Sequence, residues 1–191
     1  TRPAVPPIEG IEDTPWLDSA RLLDLTEVPK HLIIIGGGYI GVEFAQVFRR
    51  FGAKVSLIQR NQQLMPREDA DVATAIQTFL EDEGVEIYTS TNSDRLSSDN
   101  GDVLLDISTP SGNQTIRGSH LLIATGRKPN SNSLNLEATA IKTNERGYIQ
   151  VDDYCQTGVD AVFALGDVNG HGAFTHTSVN DAEIVLDHQF G

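Results

Sequence analysis

The spacing of apolar positions changes along this chain, and each change marks an element. Leu32–Ile35 is a short apolar run that predicts a strand. A glycine turn follows, and apolar residues then recur at Ile40, Phe44, Val47, Phe48 and Phe51 before Gly52, which is the spacing of a helix closed by glycine. Lys54–Gln59 predicts a second strand. Glu68–Glu83 predicts a second helix, with Val72, Ile76, Phe79 and Leu80 on one face, acids in the first turn and Gly84 past the end. Glu86–Tyr88 gives a third strand. A βαβαβ order of this kind demands a parallel sheet with right-handed crossovers.

Residues 94–117 change character. Alternating runs around Val103–Ile107 and Gln114–Arg117, split by the turns Asp99-Asn100-Gly101 and Pro110-Ser111-Gly112, predict an antiparallel meander. His120–Ala124 is a further buried strand, closed by Thr125-Gly126 and the polar segment 127–132. Gly147–Val151 and Val162–Leu165 read as short strands, and an amphipathic helix is expected from near Ser178 to about Gln189. Residues 1–28, with Pro3, Pro6 and Pro7 and then an amphipathic stretch at Leu17–Leu25, read as a connector. The expected fold class is α/β: a Rossmann-like βαβαβ parallel sheet with an antiparallel meander. The expected regions are 1–28, 29–130 and 131–191.

Composition narrows the function. At 191 residues and 39% apolar content, the chain suits one ordinary soluble domain with attached segments. Fourteen Lys and Arg against twenty-seven Asp and Glu leave a formal charge of −13, the wrong sign for nucleic-acid phosphates or anionic lipid. Stretches such as Leu32–Ile35 and Leu121–Ala124 fall far short of the roughly eighteen apolar residues a spanning helix needs. No basic-then-apolar segment opens the sequence, and its proline-rich start reads as a linker entered midway, so a piece of a longer chain is expected. A single cysteine, Cys155, leaves no internal disulfide framework and fits a reducing cytoplasm.

The chemistry centres on Gly36, Gly38 and Gly41, which form G-x-G-x-x-G between a predicted strand and a predicted helix that opens with Tyr39 and Ile40. The pattern serves a tight turn, close approach of backbone to a pyrophosphate, and close helix–strand packing, and the helix N-terminus offers N–H groups to phosphate. A nicotinamide dinucleotide is the expected ligand. An acid at the end of the second strand would bond the ribose 2′-OH of NADH and repel the 2′-phosphate of NADPH. Here that strand ends Gln59-Arg60-Asn61, with Arg67 seven residues beyond Arg60. Exchanging repulsion for attraction at about 4 Å and an effective dielectric of about 20 is worth several kcal/mol, so NADPH is favoured while NADH stays possible.

Three motifs in this order, Gly36-Gly37-Gly38-Tyr39-Ile40-Gly41-Val42-Glu43-Phe44-Ala45, Ala124-Thr125-Gly126-Arg127-Lys128-Pro129-Asn130 and Ala164-Leu165-Gly166-Asp167, resemble the pyridine nucleotide-disulfide oxidoreductases over nearly the whole chain. Pro66-Arg67-Glu68-Asp69 looks closest to mercuric-reductase-like members, with glutathione reductase and dihydrolipoamide dehydrogenase as cousins. The resemblance implies a NADPH-binding domain flanked by FAD-domain segments, in a parent that passes hydride from NADPH to FAD and on to a dithiol. It implies that Tyr39 covers the flavin and swings aside for nicotinamide, and that Glu43 is the helix carboxylate beside both rings. It further implies that Gly126 approaches the nicotinamide nucleotide, that Asp167 bonds the flavin ribityl chain, and that Thr175 meets the flavin ring. A homodimeric parent is implied as well.

The departures from the family pattern also carry weight. The C-x4-C dithiol, the first glycine-rich fingerprint for FAD and the carboxy-terminal domain are all missing, so this piece alone is expected to bind nucleotide without turnover. Cys155 reads as an ordinary loop or strand residue. His171 and His176 have no third ligand of defined spacing nearby, so no metal is expected. A short-chain dehydrogenase would need Tyr-x-x-x-Lys, and residues 43, 92, 152 and 158 are Glu, Asn, Asp and Gly. A non-catalytic redox-sensing module that binds dinucleotide stays open.

Overall fold

A computed structural model describes all residues, 1–191, which form two compact units: Pro3–Gly126, and Arg127–Gly191 together with Thr1–Arg2. The larger unit is built on β1 (His31–Ile35), β2 (Lys54–Ile58), β3 (Glu86–Tyr88) and β7 (His120–Ile123), all parallel, in the order β3-β2-β1-β7. Helix α1 (Ser19–Leu23) precedes β1, α2 (Tyr39–Arg50) joins β1 to β2, and α3 (Ala70–Asp82) joins β2 to β3. The meander consists of β4 (Asn92–Asp99), β5 (Asp102–Thr109) and β6 (Gly112–Gly118) in sequential antiparallel pairing. The α/β class, the parallel βαβαβ core and the meander are therefore as the periodicity implied.

The unbroken apolar runs of the central strands follow from what covers each face, since successive side chains alternate. Leu32, Ile34, Val55, Leu57 and Leu122 point into one core with Ala45, Phe48 and Leu80 of the helices. Ile33, Ile35, Ile58, Leu121 and Ile123 enter the other, against Leu96, Val103, Leu105, Ile107 and Ile116 of the meander. The proline-rich start joins this packing as well: Ile8 and Ile11 lie in the second core and Leu22 in the first.

Both crossover helices, α2 and α3, use a narrower face than their apolar spacing predicts. In α3 the buried positions are Ala73 and Leu80, with Ile76 beside them, whereas Val72 and Phe79 are 43% and 49% exposed. In α2 they are Gly41, Ala45 and Phe48, while Val47 and Phe51 face outward. Small residues at the contact let the helices lie close to the sheet, and Cα–Cβ geometry then turns the larger neighbours away. Helix α3 begins at Ala70, two residues later than expected, because residues 61–69 form a loop instead. At the far ends of α2 and α3, Glu83 receives a two-pronged hydrogen bond from Arg50 (2.6 and 3.0 Å) and its carbonyl receives Arg49 Nε at 2.8 Å.

A polar chain crosses the starts of the parallel strands. His31 Nε2 lies 2.9 Å from Ser56 Oγ, Ser56 donates to Glu86 Oε2 at 2.9 Å, and Lys54 Nζ lies 2.9 Å from Glu86 Oε1. Burial, followed by the Lys54 charge, holds the His31 imidazole below its ordinary range.

The smaller unit corrects two expectations. Neither Gly147–Val151 nor Val162–Leu165 is a strand; each contributes one bridge, Ile149 with Thr143 and Phe163 with Gln156. Both segments are too short and too interrupted by turns to sustain a ladder. Helix α4 runs Thr175–Phe190, starting one turn earlier than Ser178. Buried Asp181 organises the region, accepting Gly166 N and Asn169 Nδ2 at 2.8 Å each. No helix is long and apolar enough to cross a membrane.

Candidate functional site

The three motif glycines differ in surroundings. Gly36 adopts φ +113°, closed to most side chains, and a Cβ there would lie 2.4 Å from Ala124 O; its N–H bonds Ile58 O at 2.9 Å. At Gly41 a Cβ would lie 1.9 Å from Gly36 O, so only glycine lets α2 pack against the end of β1. At Gly38 an added Cβ would meet nothing within 4 Å. Gly38 is also the N-cap of α2 and supplies no side-chain hydrogen bond to the helix. First-turn N–H groups have no intrahelical acceptor, so this end offers donors and a positive dipole to an anion over an open backbone surface.

The remaining residues of this edge come from three elements. Gln59 follows β2 and is buried, its Cβ close enough that a Cβ on Gly37 would lie 3.2 Å away. Arg60 is exposed, as is Arg67 in the following loop, and neither appears in any of the six ion pairs. Ile40 is half-buried, Glu43 is exposed on α2, and Gly126, exposed at φ +117°, follows β7. Gly36, Gly38, Tyr39, Ile40, Gly41, Gln59 and Gly126 thus gather where the parallel strands end, which is where open α/β sheets bind ligands.

Spacing did not reveal the contacts of residues 61–68. Met65 N bonds Gly37 O at 2.7 Å with Met65 at φ +48°, and a Cβ on Gly37 would lie 2.6 Å from Leu64 Cδ2. The loop is therefore docked on the glycine turn, and Tyr39 reaches it by donating its hydroxyl to Glu68 Oε1. That hydrogen bond, chief among the causes, holds the phenol above its ordinary range. The spacing places Glu68 at the start of a helix and in the Pro66–Asp69 motif, but a hydrogen bond between residues 29 apart has no periodic signature.

In the smaller unit Asp167 sits on the 3-10 turn Gly166–Val168, its carboxylate accepting Thr1 Oγ1 at 2.6 Å and facing Arg127 Nε at 3.5 Å. Thr175 is exposed as the first residue of α4 and lines an open groove of about 780 Å³ with His176, Val179 and Glu183. His171 and His176 are exposed, and no group of three or more His, Cys, Asp or Glu side chains converges to hold a metal. Burial, then the Asp181 carboxylate, pushes the Cys155 thiol up, which disfavours a reactive thiolate.

The family model described as pyridine nucleotide-disulphide oxidoreductase matches residues 1–182. The chain belongs to that family. It is 37% identical to a mercuric reductase of Streptomyces lividans over 185 residues, covering 97% of this chain and 39% of that protein. It is 44% identical over 188 residues to the probable pyridine nucleotide-disulfide oxidoreductase RclA of Escherichia coli, covering 98% of this chain and 42% of that one. The structure of that HOCl-induced flavoprotein disulfide reductase superposes with a TM-score of 0.90 at 43% identity, over 98% of this chain and 42% of RclA. The chain thus spans about two-fifths of the length of these relatives.

Proposed function

We propose that this chain is the NADPH-binding portion of a flavin-dependent reductase of the mercuric-reductase-like kind, holding NADPH in preference to NADH. The observation that carries this reading is the open Gly38 surface in front of the uncapped N-terminus of α2. The bare glycine backbone there lets a pyrophosphate approach closely, and the helix supplies donors and positive potential. Preference for NADPH rests on Arg60 and Arg67, two exposed cations outside any ion pair, beside Gln59 where an acid would select NADH.

Nicotinamide and flavin, when bound in the full-length protein, supply the hydride chemistry. This chain's residues bind and orient. The glycine turn holds the pyrophosphate, Arg60 and Arg67 hold the 2′-phosphate, and Gly126 lies against the nicotinamide half. Tyr39 gates the route to the flavin, and Glu43 contributes a carboxylate beside the rings. Asp167 would accept a hydroxyl of the flavin ribityl chain, and Thr175 would touch the flavin ring. The contact proposed for Asp167 is of the kind it already makes, since its carboxylate accepts a hydroxyl from Thr1.

Calorimetric titration of the purified chain with NADPH and NADH tests the reading. Tighter binding of NADPH is expected. Equal or tighter binding of NADH would remove the assigned roles of Arg60 and Arg67.

A further inference from the structure

The geometry points to Glu68 as a positioning residue, whose carboxylate latches Tyr39 across the entrance to the glycine turn so that dinucleotide binding has to open the latch. This rests on the glycine turn being the dinucleotide site. Tyr39 is the first residue of α2, next to the open surface at Gly38, and its hydroxyl donates to Glu68 Oε1. Glu68 is held in turn by its surroundings. Its N–H bonds Met65 O at 2.9 Å, its carbonyl accepts Gln63 Nε2 at 3.0 Å, and Met65 N bonds Gly37 O at 2.7 Å. Leu64, fully buried, wedges the same loop against Gly37.

The acceptor is thereby fixed to the glycine turn through backbone hydrogen bonds, and the phenol can leave only by breaking its own. A dinucleotide lying from Gln59 and Arg60 at the end of β2 to the start of α2 would meet both segments that the Tyr39–Glu68 bond joins, the first turn of α2 and the loop after β2. Arg67, the proposed partner of the 2′-phosphate, is the neighbour of Glu68, so engagement of that phosphate and release of the phenol would act on adjacent residues of one loop.

The test uses the full-length protein, with calorimetry of two probes, NADP⁺ and adenosine 2′,5′-bisphosphate, the second lacking the nicotinamide half. Glu68→Ala and Tyr39→Phe should each tighten NADP⁺ by about threefold to tenfold, the scale of one hydrogen bond no longer broken on binding. Combining them should add nothing further. Glu68→Gln, which keeps an acceptor oxygen, should behave as wild type, and bisphosphate, which reaches from the 2′-phosphate contacts to the glycine turn, should tighten with Glu68→Ala and Tyr39→Phe as NADP⁺ does. If Glu68→Ala leaves NADP⁺ unchanged while bisphosphate binds, the latch is refuted and the dinucleotide site stands. If Glu68→Ala and Glu68→Gln tighten both probes alike, Glu68 acts as a repelling charge and the latch is again refuted. If the wild type binds neither probe, the site reading falls and takes the latch with it.

Discussion

Gly38 and Gly41 occupy one motif but have opposite surroundings, and a pair of alanine substitutions separates packing from binding. Gly41→Ala would drive a methyl to 1.9 Å from Gly36 O, forcing α2 off β1. A loss of about 1–3 kcal/mol in unfolding free energy is expected, read from denaturant midpoints. Gly38→Ala meets nothing within 4 Å and should keep the wild-type midpoint while losing affinity for NADPH. Equal midpoints for the two variants would contradict this division of roles. At the next strand end, Arg60→Glu places an anion where the 2′-phosphate is proposed to lie. It should weaken NADPH about tenfold or more in calorimetry and spare NADH. The places of the glycines and of Arg60 at the strand ends were legible in the sequence because spacing within a βαβ unit is a local property. The positions of Leu64, Met65 and Glu68 were not, because a loop that folds back on the turn leaves no period.

Among the elements, the starts of β1, β2 and β3 carry the groups that make stability depend on pH. His31 is held below its ordinary value of 6.5 by burial and then by Lys54, against an opposing pull from Glu86. Glu86 is raised by burial, but the hydrogen bonds from Lys54 and Ser56 outweigh this and hold it below 4.5. Both folded values are depressed, so each group's contribution is present above its ordinary value and is lost as pH falls. The first loss therefore begins below about pH 6.5 and the second below about pH 4.5. Denaturant midpoints measured from pH 7.5 downward should decline in wild type, and His31→Gln should flatten the upper part of that decline. Parallel profiles for the two proteins would show that His31 does not contribute. Helix existence was legible from apolar spacing, whereas helix face was not. Val72, Phe79, Val47 and Phe51 fit the helical pattern yet face solvent, because Ala73, Ala45 and Gly41 allow the closest approach to the sheet.

For the molecule as a whole, family membership and a span of about two-fifths of its relatives set what this chain can do alone. The flavin contacts proposed for this chain are Tyr39, Glu43, Asp167 and Thr175, and they bring no second glycine turn to hold the FAD phosphates. The purified chain should therefore be colourless after gel filtration and should not oxidise NADPH, while still binding it. A flavin spectrum that co-elutes with protein, or turnover above a heat-treated control, would contradict this. The sequence by itself determined the α/β class, the parallel unit, the glycine turn and the family, because each is written in short-range spacing that survives without a partner. Only the tertiary structure decided that the central strands are covered by helices on one face and the meander on the other. It also decided that 147–151 and 162–165 form single bridges, and that Tyr39 meets Glu68. Those outcomes depend on which distant residues compete for the same surface or hydrogen-bonding group, and that competition is settled by packing rather than by local pattern.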